Sequence, residues 1–126
     1  MRICVDLDGV ICELRRPDQS YADVGPRPGA VEALSRLRAA GNEIIIHTAR
    51  HMRTTGGNVG RVVALQGETT LAWLRHHGIE YDEIHFGKPH ADIYIDDNAL
   101  RFESWDLIRD QADLPMSAER RLEERQ

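Results

Sequence analysis

Two aspartates separated by one residue are the first side chains of this sequence that could do chemistry. Asp6 and Asp8 follow the apolar residues 3–5 and precede Gly9. A carboxylate can attack a phosphorus atom and form an aspartyl phosphate, which splits one difficult displacement into two. A second carboxylate beside it can carry the proton in each step. The pair is therefore suited to phosphoryl transfer through an acid side chain.

Polar side chains also follow three other apolar segments. Thr48 comes after residues 44–46, Lys88 follows a third segment, and Asp96 and Asp97 follow a fourth. Several carboxylates at one site would repel one another at neutral pH unless a cation neutralised them. Mg²⁺ prefers a few carboxylate oxygens and keeps water and phosphate as its other ligands, so it is the predicted cofactor. A lysine and a hydroxyl would stabilise the charge on a transferring phosphoryl group.

Four short segments rich in Ile and Val are predicted to be strands of one parallel sheet, because their hydrophobicity suits strands covered on both faces. They are Ile3 to Leu7, Glu43 to His47, Glu83 to Phe86 and Asp92 to Ile95. Helices are predicted from Pro28 to the stop signal at Gly41, from about Glu68 to His77 with Leu71 and Leu74 inward, and from Glu103 to Gln111. This order indicates an open α/β sheet, in which ligands bind beyond the carboxyl ends of the strands. All of the polar residues named so far lie at the carboxyl ends of predicted strands.

Two stretches without periodicity, 13–27 and 51–67, directly follow polar strand ends and are predicted to be active-site loops. Arg50 precedes the second of them, close enough to Thr48 to be predicted as a phosphate ligand. Cys4 and Cys12 are predicted to be reduced, because a bridge would fold one apolar segment back on itself.

Composition limits the class of protein. A chain of 126 residues, 41% hydrophobic and 29% charged, can bury one core but not two. We expect a single domain over residues 1–112 and a charged tail over 113–126. No run approaches the ~20 apolar residues of a bilayer span, and the start resembles no secretory signal, so a cytoplasmic location is expected. The net charge of −5 argues against general nucleic-acid binding.

The motifs resemble those of the haloacid-dehalogenase (HAD) superfamily in kind and in order. Residues 6–11, Asp-Leu-Asp-Gly-Val-Ile, are similar to its first motif, and Thr48 after three isoleucines is similar to its second. Lys88 resembles the third motif, and the pair Asp96-Asp97 resembles the fourth. The resemblance extends from Arg2 to about Ile108 and implies a Rossmann-like three-layer α/β domain with a mostly parallel sheet.

The resemblance also implies a role for each motif residue. Asp6 would be the nucleophile and a ligand of Mg²⁺, and Asp8 would be the general acid and base, with its backbone carbonyl on Mg²⁺. Thr48 and Lys88 would bind the transferring phosphoryl group. Asp96 would be the acidic metal ligand, and Asp97 would support it or share the role.

The intervals between motifs are too short for the cap domain that the superfamily commonly inserts. The chain therefore resembles the capless branch, and within it small phosphatases of capsule and surface-polysaccharide synthesis, which implies a sugar phosphate or related metabolite as substrate. The sequence leaves open a homo-oligomer in which a neighbouring subunit serves as the lid. The alternative is a receiver-like phospho-acceptor domain without rapid turnover, but an acid two residues after the nucleophile serves hydrolysis and has no place in a receiver.

Overall fold

A three-stranded parallel sheet organises the computed structural model, which describes residues 1–125. The strands lie in the order β1 (Arg2–Asp6), β2 (Glu43–Thr48) and β3 (Glu83–Phe86). Asp6 is opposite His47, and Thr48 is opposite Phe86. All three strands therefore end at the same edge of the sheet, as the sequence predicts for its first three strands.

The predicted first helix is confirmed as α1 (Ala30–Ala39). Leu34 and Leu37 pack into the core at helical spacing. The chain leaves the helix through Gly41, whose φ of 95° lies in the left-handed region where a residue without Cβ is least strained.

The second helix is longer than predicted. Its elements are α2 (Val59–Val62), a π-helical turn (Val63–Gly67) and α3 (Glu68–His76). The predicted loop over 51–67 is therefore irregular only in its first half, because the Asn58 side chain accepts a hydrogen bond from the Arg61 N–H and starts the helix early. On α3, Leu74 is buried as predicted, whereas Leu71 is exposed and Trp73 takes the inward position.

The predicted fourth strand is absent among the described residues. Residues 92–95 are irregular, and Ile95 is 97% exposed. Local contacts turn this segment back on itself, since the Tyr94 hydroxyl bonds to the Pro89 carbonyl and the Lys88 ammonium lies over the Tyr94 ring. Pro89 also has no N–H with which to continue the pairing of β3.

The carboxyl-terminal part is also less helical than predicted. Two 3-10 turns (Trp105–Leu107 and Gln111–Asp113) replace the expected α-helix, although Trp105 is buried as its apolar character indicates. An exposed helix, α4 (Ala118–Glu124), follows, with Ser117 as its cap. The Trp105 indole donates to the Val10 carbonyl, which fixes this region against the segment that follows β1.

The core lies where the helices cover the sheet. Its largest fully buried side chains are Leu7, Ile11, Leu34, Leu37, Ile44, Ile46 and Leu74. Both cysteines are free, Cys12 buried and Cys4 exposed. Within residues 1–125, no helix has the length and hydropathy that a bilayer span requires.

Candidate active site

The carboxyl edge of the sheet brings three of the predicted residues together. Asp6 is the last residue of β1, Thr48 is the last of β2, and Lys88 follows β3 by two residues. The Lys88 N–H donates to the Thr48 carbonyl at 3.1 Å, which extends the pairing of β2 and β3 by one step. The Lys88 Nζ then lies 3.5 Å from Asp6 Oδ2.

A tight turn after β1 adds Asp8 to the same edge. The Leu7 N–H donates to the His47 carbonyl, and the Leu7 carbonyl accepts from Ile11 and Cys12. Leu7 is fully buried, so its side chain anchors the turn in the hydrophobic core. Asp6 and Asp8 both lie at this edge, where Asp6 contacts Lys88 and Asp8 contacts Thr48.

Asp8 is held at both carboxylate oxygens. Its Oδ2 accepts a hydrogen bond of 3.0 Å from the Thr48 hydroxyl. Its Oδ1 accepts from Arg50 Nε at 2.9 Å and lies 3.6 Å from the Cys12 thiol, which donates to it. Burial and the nearby Asp8 charge raise the pKa of the Cys12 thiol to about 12. Cys12 therefore remains a neutral donor to the carboxylate.

Asp6 has a more open environment. Its Oδ1 accepts a hydrogen bond from the Leu7 N–H at 3.0 Å, and one third of its side chain is exposed. Burial raises the pKa of Asp6 above its ordinary value, and the Lys88 ammonium opposes that shift. Burial, with Lys88, also lowers the pKa of neighbouring His47, so that ring is a weak base. Asp6 is therefore the more exposed of the two carboxylates, at 33% of its side chain against 23% for Asp8.

Arg50 enters the site in a different way from the predicted phosphate contact. Its side chain is 1% exposed. The guanidinium is directed at Asp8, Thr70 and Cys12. The structure thus brings Arg50 to Asp8 but points it away from solvent.

Asp96 and Asp97 are not brought to the site in the structure. Both are exposed, and Asp96 Oδ1 accepts a hydrogen bond from the Asn98 N–H. Across residues 1–125, no group of three or more His, Cys, Asp or Glu side chains is arranged to hold a metal ion. The two acids that do meet, Asp6 and Asp8, are each balanced by a basic side chain.

The residues present nonetheless fit a magnesium ion. Mg²⁺ is commonly held by one or two carboxylates together with waters and phosphate oxygens. Asp6 supplies a partly exposed carboxylate, and the Asp8 backbone carbonyl accepts no hydrogen bond from the residues described. Both are hard oxygen donors of the kind that Mg²⁺ requires.

Sequence reasoning missed the side chains that surround Arg50. The Tyr21 ring lies 4.1 Å from the guanidinium carbon, and Thr70 of α3 accepts from Arg50 Nη1 at 3.1 Å. Tyr21 is an isolated aromatic residue in an irregular segment, and Thr70 lies within a helix pattern, so neither carries a spacing signal. Only the folded arrangement reveals them.

Fold and site together define a parallel α/β protein with paired carboxylates, a lysine and a threonine at the carboxyl edge of its sheet. No protein-family model and no curated protein matches the chain. Among solved structures, the crystal structure of an MCSG target from Vibrio cholerae is similar. The two are 35% identical with a TM-score of 0.74, over 97% of this chain and 94% of that one. The chain belongs to the same family as this Vibrio cholerae protein.

Proposed function

We propose that the protein is a Mg²⁺-dependent phosphomonoester hydrolase of the HAD superfamily that acts through an aspartyl phosphate. The observation that carries this proposal is the pairing of a reachable Asp6 carboxylate with the Lys88 ammonium, 3.5 Å apart, beside an Asp8 held in place. A cation next to the nucleophile balances the charge that accumulates when a phosphate approaches an acid.

The chemistry takes two steps. An Asp6 oxygen attacks phosphorus, the bond from phosphorus to the ester oxygen breaks, and Asp8 donates a proton to the departing alcohol. Asp8 then takes a proton from water, whose oxygen attacks the same phosphorus and releases Asp6 and inorganic phosphate. Lys88 and Thr48 are the proposed ligands of the phosphoryl group. The sequence also predicts Arg50 as a ligand of this group. Mg²⁺, held by Asp6 and the Asp8 carbonyl, would offset the negative charge of the phosphoryl oxygens.

The three-layer Rossmann-like fold and the metal role of Asp96 and Asp97 are part of the proposal. β1 is an edge strand that pairs only with β2, while Ile93 and Ile95 are exposed. Pairing residues 92–95 with the free edge of β1 would bury both side chains, at roughly 1.5–3 kcal/mol each. It would also carry Asp96 to the edge where Asp6 lies.

Hydrogen exchange tests this rearrangement. Adding Mg²⁺ with orthovanadate, a phosphate mimic, should slow exchange of the amides at 92–95, because new strand pairing would protect them. The amides of α4, a helix on the surface, serve as an internal control and should not change. Exchange at 92–95 that is unchanged by Mg²⁺ and orthovanadate would contradict a fourth strand.

A sugar phosphate or related small metabolite is the proposed substrate class, as in the capsule-synthesis proteins that the motifs resemble. Without a cap domain, the remainder of the substrate would meet the segments 13–27 and 51–58 or a neighbouring subunit. A cytoplasmic location is also part of the proposal.

Phosphate release measures the proposed activity. The purified protein should hydrolyse p-nitrophenyl phosphate and members of a sugar-phosphate panel with Mg²⁺, and lose that activity in excess chelator. Activity undiminished by chelator would refute the metal assignment. A stable phosphorylated chain that releases phosphate only slowly would favour the phospho-acceptor alternative.

A further inference from the structure

Arg50 is the most enclosed charged side chain at the candidate site. Its Nε donates to both oxygens of Asp8, at 2.9 and 3.3 Å. Nη1 donates to the Thr70 hydroxyl at 3.1 Å, and Nη2 lies 3.6 Å from the Cys12 sulfur. Each guanidinium nitrogen therefore has a partner within the protein.

Tyr21 closes the remaining face of this guanidinium. The ring stacks 4.1 Å from its central carbon, and the Arg50 side chain is 1% exposed. A planar cation stacked on an aromatic ring and hydrogen-bonded at its edge has a fixed orientation. With its side chain 1% exposed, Arg50 has almost no surface at which a phosphate could contact it.

The backbone of Arg50 strengthens the same arrangement. Its N–H donates to the Thr48 hydroxyl at 3.1 Å, and that hydroxyl donates in turn to Asp8 Oδ2 at 3.0 Å. The two oxygens of Asp8 are thus tied to one residue, directly through the side chain and indirectly through Thr48.

We infer that Arg50 is a positioning residue that fixes the Asp8 carboxylate, and that Thr70 of α3 fixes Arg50 in turn. This role rests on the function proposed above, in which Asp8 transfers the proton. Proton transfer requires the acid to lie within hydrogen-bond reach of the ester oxygen, so a displaced carboxylate slows the step even when phosphate binds normally. The orientation of Asp8 therefore depends on the packing of α3 and of the segment that carries Tyr21.

Two variants separate positioning from direct phosphate binding. Arg50→Lys keeps the charge but loses the planar fork that reaches both Asp8 and Thr70. Thr70→Val removes only the hydroxyl that accepts from Arg50 and leaves the volume nearly unchanged. Arg75→Lys is the matched control, because Arg75 is an exposed arginine on α3, the helix that also carries Thr70.

Three measurements are made on each variant: kcat on p-nitrophenyl phosphate, kcat on an alkyl phosphate, and the Kd of inorganic phosphate by calorimetry. The alkyl leaving group depends far more on protonation. In Arg50→Lys, kcat on the alkyl ester should fall roughly 10-fold further than on the aryl ester, while the phosphate Kd changes less than about 2-fold. Thr70→Val should change in the same direction by less, and Arg75→Lys should match wild type.

Equal losses on both esters in both variants would overturn the positioning role, whether or not phosphate affinity also falls. If Arg50→Lys fails to fold, Thr70→Val decides alone by the same comparison. A wild-type protein that hydrolyses neither ester would refute the proposed function instead. In that case a crystal structure of Thr70→Val would test positioning without an activity measurement. If the Asp8 carboxylate and the Arg50 guanidinium keep their wild-type positions in this variant, the positioning role is refuted.

Discussion

At the scale of single residues, Asp6 and Asp8 differ in their surroundings more than in their chemistry. Asp6 is partly exposed and faces Lys88, whereas Asp8 is held at both oxygens by Thr48, Arg50 and Cys12. Two like acids placed in different environments commonly divide the roles of nucleophile and proton carrier. The open carboxylate suits attack on phosphorus, and the fixed one suits directed proton transfer.

Replacement of Asp8 tests this division. Asp8→Asn keeps a side chain of similar shape that still accepts the Thr48 hydrogen bond, but it cannot carry the proton. We expect turnover to fall roughly 10²-fold or more, with the larger loss on esters with poor leaving groups. Steady-state rates over a series of aryl and alkyl phosphates measure the effect.

The matched control for that variant is Asp106→Asn, since Asp106 is exposed in the 3-10 turn Trp105–Leu107, outside the predicted active-site segments. It should retain wild-type rates on every ester. A loss in Asp8→Asn that is the same for good and poor leaving groups would argue against a proton-transfer role.

At the scale of elements, the turn after β3 places Lys88 and depends on Gly87. Its φ is 103°, and a Cβ built there would lie 2.8 Å from Val59 Cγ2 of α2. Gly87→Ala should therefore destabilise the fold in two ways, through left-handed strain of about 1–2 kcal/mol and through the clash. Urea unfolding measures the total.

Gly41 separates the two causes. Its φ is 95°, and no atom lies within 4 Å of the equivalent Cβ, so Gly41→Ala reports strain without contact. Gly87→Ala should lower the free energy of unfolding more than Gly41→Ala does. In a Val59→Ala background, Gly87→Ala should lower the free energy of unfolding only as much as Gly41→Ala does, because the clash is gone. Equal costs for the two alanine variants would mean that α2 does not press on the turn.

At the opposite edge of the sheet, Asp82 ties α1 to the start of β2. It accepts hydrogen bonds from Arg38 and from the Ile44 N–H. The hydrogen bond from Arg38 and that from the Ile44 backbone lower the pKa of Asp82 below its ordinary value of 3.8. A lowered folded-state pKa stabilises the fold above the unfolded value, and this contribution is lost as the pH falls through the folded value.

Asp82→Asn should accordingly reduce the free energy of unfolding at pH 7, and the deficit should shrink once the pH falls below about 3.8. Denaturant unfolding at several pH values measures this deficit, and Asp106→Asn again provides the exposed comparison. A deficit of constant size from pH 7 to pH 3 would show that the charge of Asp82 is not what stabilises this edge.

The elements that sequence predicted well are those with a strong local pattern. The three isoleucines of β2, the leucines of α1 and the glycine after it each specify their structure, and the confirmed strands bring Asp6, Thr48 and Lys88 to one edge. Residues 92–95 have an equally good strand pattern, but a strand also needs a partner, and local contacts of Tyr94 compete with pairing. The burial of Arg50 under Tyr21 depends on residues far apart in sequence, so no local pattern could have predicted it.

At the scale of the whole molecule, the proposed phosphate site is a region of balanced charge on an acidic chain. The net charge is −5, yet Lys88 and Arg50 balance the charges of Asp6 and Asp8 at this edge. A small anionic substrate meets this local field rather than the average one, which is screened beyond about 8–10 Å at physiological salt. Among residues 1–125, no further domain covers this edge of the sheet, which leaves access to a ligand that extends away from the surface.

The most direct test of the account is the rate of phosphate release by Asp6→Asn beside the wild-type protein, with Mg²⁺ present and circular dichroism to verify the fold. The amide is nearly isosteric with the carboxylate but cannot attack phosphorus. We predict that the wild-type protein hydrolyses p-nitrophenyl phosphate, while Asp6→Asn folds normally and shows no turnover above background. A folded Asp6→Asn that retains the wild-type rate would contradict the assignment of Asp6 as the nucleophile and, with it, the proposed mechanism.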